Sequence, residues 1–278
     1  MTTPKPLPYR EWRSGLVSGT LEVFPDVYSP QLGNRRPVVV YLPPSYARAP
    51  ERRYPVIYFH DGQNLFDPAT SYIGIEWGVD ETLEALSKEG IEAIAVGIWN
   101  TEQRMSEYSP FPNWFKGRGE AYLDFIVHTV KPMIERVYRV MPGREHTVLF
   151  GSSMGGLISL YGFITRPQVF GRVGAMSPAF WVGNGMMHAL VRERPFVPGR
   201  VYIDHGTREY NPHRMRDVLL EKGYRLGEDF TYVSERGGEH DEAAWARRLP
   251  NALRFLLSGL CAEARAPGQQ RHPAPRWQ

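Results

Sequence analysis

Short apolar runs bounded by Gly or Pro recur along the chain, and in its later part they alternate with segments of helical periodicity. Strands are predicted at 19–24, 37–42, 54–60, 93–99, 146–150, 172–176, 200–205 and 229–234. Runs such as PVIYF and VVVYL are apolar at consecutive positions, the pattern of strands buried on both faces. Helices are predicted at 80–88, 121–138, 154–165, 212–222 and 242–258. Pro132 and Pro250 fall inside two of them, where the missing N–H should kink or break the helix.

The early strands follow one another without helices and suit antiparallel pairing. The later ones alternate with helices, so the chain reads as an α/β protein with a mostly parallel, doubly wound sheet. Two connections, 100–119 and 177–199, are rich in aromatic residues and follow strands. Both should lie at the carboxyl edge of the sheet, where such folds bind ligands, and wall a pocket without forming a large cap. Residues 9–262 read as a single domain, and 1–8 and 263–278 as flexible tails without apolar periodicity.

Composition changes this picture little. Of 278 residues 42% are hydrophobic and 23% charged, as in a folded globular protein. The formal charge of +3 comes from basic residues spread along the chain, which gives no support to nucleic-acid binding. Cys261 is the sole cysteine, so no internal disulfide can form. No apolar run is long enough for a membrane span or a secretory signal, and the expectation is a soluble, cytoplasmic protein.

The chemistry centres on HTVLFGSSMGGLISLY, in which Gly151, Ser153 and Gly155 match G-x-S-x-G. An apolar strand precedes the pattern and an apolar helix follows it, the setting of a nucleophile elbow. Ser153 is the candidate nucleophile; Ser152 lacks the flanking glycine pair. The Met154 N–H, at the start of the helix, is a candidate oxyanion donor.

A serine hydroxyl needs a base, and the base a carboxylate, in the chain order Ser, Asp/Glu, His. Of the late histidines, His205 reads as a strand end and His213 as an early helix residue. His240 sits in the Gly-rich loop RGGEHDEAAW after the last strand and is the candidate base. Glu209, in the loop beyond strand 200–205, is preferred as the acid to Asp204 within that strand; Glu239 and Asp241 adjoin His240 too closely to orient it. In YFHDGQNLFD the backbone N–H of Gln63 is the second oxyanion donor, with His60 and Asp61 bracing the loop. A metal held by His60 with Asp61 or Asp67 would lack a third ligand at regular spacing. Trp99, Trp114 and Trp181 are candidate substrate-binding residues.

Taken together, GSSMGG, HDGQNLFD, GTRE and GGEHDEAAW resemble the putative-esterase family, which includes esterase D, enterochelin esterases, feruloyl esterases and mycolyltransferases; the resemblance covers about residues 18–260. It implies an α/β-hydrolase fold without a large cap and a serine carboxylic-ester hydrolase. The family's nucleophile falls on Ser153, its histidine on His240 and its oxyanion donors on Gln63 and Met154. Its G-T-x-Asp/Glu acid falls on Glu209, a glutamate where aspartate is commoner, and its aromatic loop MSPAFW on Trp181. The expected partner is a small-molecule acyl or aryl ester, with no cofactor, no metal, no nucleic acid and no membrane; nothing in the pattern sets an oligomeric state. An acyltransferase with the same triad, or a binding protein with the triad unused, are the alternatives.

Overall fold

In the computed structural model, residues 5–260 are described. They contain a nine-stranded sheet built of β1 (Leu7–Pro8), β2 (Thr20–Ser29), β3 (Asn34–Leu42), β4 (Val56–Phe59), β5 (Ile94–Ile98), β6 (Thr147–Ser152), β7 (Arg172–Met176), β8 (Arg200–Gly206) and β9 (Phe230–Glu235). The strand order is β1-β2-β3-β5-β4-β6-β7-β8-β9. The pairs β1–β2, β2–β3 and β3–β5 are antiparallel and all others parallel, as the absence of early helices implied.

Alternate residues of each central strand enter opposite cores. Val56 and Tyr58 of β4 join one cluster while Ile57 and Phe59 join the other. This double burial is why the strands read as continuous apolar runs. One face is covered by α4 (Gly119–Phe125), α5 (Lys131–Val137), α6 (Met154–Thr165), α7 (Met186–Glu193) and α8 (His213–Lys222). The other is covered by α1 (Tyr9–Trp12), α2 (Val79–Ser87) and α9 (Glu242–Leu257). A short α3 (Arg104–Glu107) lies in the 100–119 connection, fixed by a buried bidentate pair in which Arg36 Nη1 and Nη2 meet Glu107 at 2.8 and 2.9 Å.

The two interior prolines behave differently. Between α4 and α5 the chain forms a π-helical segment, Ile126–Val130, immediately before Pro132. Widening the turn there accommodates a ring that cannot donate to the preceding turn. At Pro250 the helix does not break: α9 continues through it, its apolar face (Leu249, Ala252, Leu253, Leu256) held against the sheet. Within the segment expected to be a leading tail, Leu7 and Pro8 pair with Val23 and Glu22. Residues 263–278 and Cys261 lie outside the described residues. Among the described residues no helix is long and apolar enough to cross a membrane.

Candidate active site

β6 ends at Ser152 and α6 begins at Met154, so Ser153 alone makes the turn. Its φ of 54° and ψ of −120° are unusual for a side chain with a Cβ and cost about 1–3 kcal/mol. The surroundings hold it there: Ser153 N–H donates to Met176 O at 2.9 Å, and Ser153 O accepts from Ala179 N at 3.0 Å. Gly151 is needed for the approach of strand and helix, since a Cβ there would lie 2.7 Å from Gly155 C and His60 Cδ2. Ser152 remains in the strand, 1% exposed.

His240 reaches this turn from the loop between β9 and α9. Its Nε2 lies 3.0 Å from Ser153 Oγ and its Nδ1 2.6 Å from Glu209 Oε2. Two loops must meet closely for this. A Cβ on Gly206 would sit 2.1 Å from Gly238 O, and the loops are tied by Arg208 N–H donating to Gly238 O at 3.1 Å. The carboxylates adjoining His240 are engaged elsewhere. Asp241 caps α9 by accepting from Ala244 N at 2.8 Å, and Glu239 pairs with Arg208 at 3.1 Å. His205 is buried with Nδ1 against Gly206 O, and His213 begins α8.

Glu209 is the carboxylate that meets His240, and Asp204 lies beneath it. Glu209 Oε1 accepts from the Gly206 amide at 2.5 Å and the Ser177 hydroxyl at 2.7 Å. Burial raises its pKa, but the bonds from His240, Gly206 and Ser177 prevail and hold it below the usual glutamate value. Asp204 accepts from Ser177 N–H at 3.2 Å and Tyr202 O–H at 3.0 Å. Burial pushes it up to about 7 against the pull of Arg248.

Three residues here escaped the sequence reading: Ser177, Trp245 and Arg248. Arg248, 4% exposed, donates from Nη2 to Ser177 Oγ at 2.8 Å and lies within 3.4–3.6 Å of Asp204, Glu209 and Glu235. Trp245 donates to the same hydroxyl at 2.9 Å and presents its ring edge-on to His240, centroids 5.2 Å apart. A signal existed for two of them, because positions 245, 248, 249 and 252 share one face of α9 and Arg248 interrupts its apolar stripe.

Gln63 lies in a 3-10 turn, Gly62–Asn64, after β4, the strand beside β6. As early helical residues, Gln63 and Met154 have N–H groups without intrahelical partners. The Gln63 carbonyl accepts from Thr70 Oγ1 at 2.6 Å and its side chain from Asn100 N–H at 3.2 Å. Asp61 braces the turn through a bidentate pair with Arg104 at 2.7 and 2.8 Å. The His60 ring bonds Tyr122 O–H at 2.9 Å, and burial pushes its pKa down to about 3. Asp67 serves Tyr9 O–H at 2.9 Å. The carboxylates with ligand-like spacing among the described residues are Glu76, Asp80 and Glu81, at the start of α2.

The three tryptophans do not converge. Trp181 is 49% exposed in the loop that Ala179 ties to Ser153. Trp99 packs edge-on against Trp12, centroids 5.5 Å apart, beneath the Arg13 guanidinium. Trp114 is partly buried against the core. A groove of about 570 Å³ does form along the 100–119 connection, lined by Gln103, Met105, Phe115 and Lys116 among others, but Ser153, Glu209 and His240 do not line it. Of the three hydrogen-bonded residues, the His240 side chain is 44% exposed and Glu209 is 4% exposed.

Several known proteins are similar to this chain. YbbA of Bacillus subtilis, an uncharacterized protein by its name, is 29% identical over 247 residues, covering 81% of this chain and 93% of that protein. Ferri-bacillibactin esterase BesA of the same organism is 31% identical over 246 residues, 75% of this chain and 80% of its own length. The structure of ferric enterobactin esterase from Salmonella typhimurium superposes with a TM-score of 0.70 at 21% identity, over 87% of this chain; the chain spans 59% of that esterase's length. At that identity the likeness is one of fold, the α/β-hydrolase arrangement. The sequence profile of the Putative esterase family matches residues 29–256, and the chain belongs to that family.

Proposed function

We propose that this esterase works through an acyl-enzyme on Ser153. The supporting observation is that one imidazole bridges Ser153 Oγ at 3.0 Å and Glu209 at 2.6 Å. His240, held by Glu209 with its proton on Nδ1, takes the hydroxyl proton at Nε2 as Ser153 attacks the ester carbonyl. The N–H groups of Gln63 and Met154 receive the oxyanion, each contributing about 3–4 kcal/mol to the transition state. His240 then protonates the leaving alcohol, and water, deprotonated by the same ring, releases the acid.

We further propose siderophore-type esters as the substrate, within the wider class of acyl and aryl esters. BesA, named for a ferri-bacillibactin substrate, is similar over three quarters of this chain. The exposed His240 side chain and the half-exposed Trp181, two residues beyond the Ala179 amide that bonds Ser153 O, suit a bulky, ring-bearing ester. The test compares a catecholate siderophore lactone, a feruloyl ester and a short-chain aryl ester as substrates of the wild type and Ser153→Ala. The reading expects the lactone to have the highest kcat/KM and Ser153→Ala to lose all three activities together with labelling by a fluorophosphonate. Labelling or turnover that survives in Ser153→Ala overturns the mechanism; a lactone no better than the simple ester overturns the substrate.

A further inference from the structure

Ser177, the residue after β7, has a φ of 42°, a region that non-glycine residues rarely occupy. It is held by its own N–H, which donates to Asp204 O at 2.9 Å and lies 3.2 Å from Asp204 Oδ1. The result of this turn is that a 3% exposed hydroxyl meets three polar groups at once: Arg248 Nη2 at 2.8 Å, Trp245 Nε1 at 2.9 Å and Glu209 Oε1 at 2.7 Å. A serine hydroxyl has one proton to donate and two lone pairs to accept with. Arginine and the indole N–H can only donate, so both lone pairs are taken, and the hydroxyl proton has a single acceptor left, Glu209 Oε1.

We propose that Ser177 is a positioning residue for ester hydrolysis, a hydrogen bond of fixed direction that orients Glu209 toward His240. This rests on the acyl-enzyme reading of Ser153. With Ser177 and the Gly206 amide both on Oε1, the carboxylate can turn only Oε2 to His240 Nδ1, at 2.6 Å. The direction set by Trp245 and Arg248 thus passes through Ser177 and Glu209 to the imidazole, whose Nδ1 carries the proton and whose Nε2 is free to accept. Ser177 touches no substrate atom; it acts on how often the base is correctly aligned.

Ser177→Ala and Ser177→Gly test this, the glycine variant tolerating the positive φ so that a folding defect does not mask the result. Both should lose roughly 10–100-fold in kcat on a short-chain aryl ester, with KM within about threefold of wild type. The downfield proton resonance of the His240 Nδ1–H should broaden or shift in both, which a merely structural role would not produce. Fluorophosphonate labelling of Ser153 should slow in proportion to kcat. Variants with wild-type kcat, labelling rate and resonance overturn the positioning role while leaving the acyl-enzyme intact. A folded wild type that does not label at all overturns the acyl-enzyme, and the role of Ser177 with it.

Discussion

Glu209→Gln is nearly isosteric, yet it should be among the most damaging single changes in the protein. Glu209 Oε1 faces the Ser177 hydroxyl at 2.7 Å and the Gly206 amide at 2.5 Å, with Arg248 Nη1 at 3.5 Å. All are donors, so an amide NH2 cannot sit there. The glutamine must therefore place its carbonyl oxygen at that position and turn its NH2 toward His240 Nδ1. A donor facing Nδ1 forces the ring proton onto Nε2, the atom that has to accept from Ser153 Oγ at 3.0 Å. By analogy with other serine triads, the wrong tautomer costs about 10⁴-fold in kcat, or roughly 5.5 kcal/mol. Steady-state kinetics on a short-chain aryl ester at neutral pH, with matched melting curves, measure it. Glu209→Gln should be no more active than Glu209→Ala, and Asp204→Asn should lose far less than either. More than a tenth of wild-type activity in Glu209→Gln, or a greater loss in Asp204→Asn, would show that Glu209 does not set the tautomer of His240.

Three further consequences concern stability. At Ser153, with φ of 54°, glycine should be more stable than alanine by about 0.5–2 kcal/mol in urea unfolding, because strain relief exceeds glycine's added chain entropy; alanine as the more stable variant would contradict the strained turn. Burial, with Glu81 adding to it, raises Asp80 to about 9, so the folded state holds a proton that the unfolded chain releases above about pH 4. Stability is therefore lost as pH rises from the ordinary aspartate range toward 9, and Asp80→Asn should stabilise by an amount that grows between pH 5 and pH 8, on the order of 1–3 kcal/mol; a gain independent of pH would count against it. Glu107→Gln should destabilise by about 3–5 kcal/mol, because Arg36 would remain charged with both side chains 0% exposed; a loss under about 1 kcal/mol would refute the pair's role.

The sheet and the elbow were legible because their signals are local. Double burial writes itself as consecutive apolar residues, as in Val56–Phe59, and the turn at Ser153 needs Gly151 close against Gly155. Loop placement favours Glu209 over Asp204 as the candidate acid, and Glu209 Oε2 lies 2.6 Å from His240 Nδ1. What sequence alone could not carry depends on packing between distant segments. Ser177 is an ordinary serine in MSPAFW until Trp245 and Arg248, on a helix some seventy residues later, close on its hydroxyl. Likewise, Trp99 stands in a loop with the aromatic content of a binding wall, but its ring is taken by Trp12 from the N-terminal segment of the chain. The continuity of α9 across Pro250 has the same origin: tertiary burial of Leu249, Ala252 and Leu253 outweighs the lost backbone bond.

The most direct measurement is to quench turnover of an aryl ester in acid and locate the acyl group by peptide mass spectrometry. One acyl adduct should appear on Ser153, formed in a burst with the aryl alcohol and absent in His240→Ala. An adduct on Ser152 or on any other residue, or sustained hydrolysis without an adduct when deacylation is made slow, would contradict it.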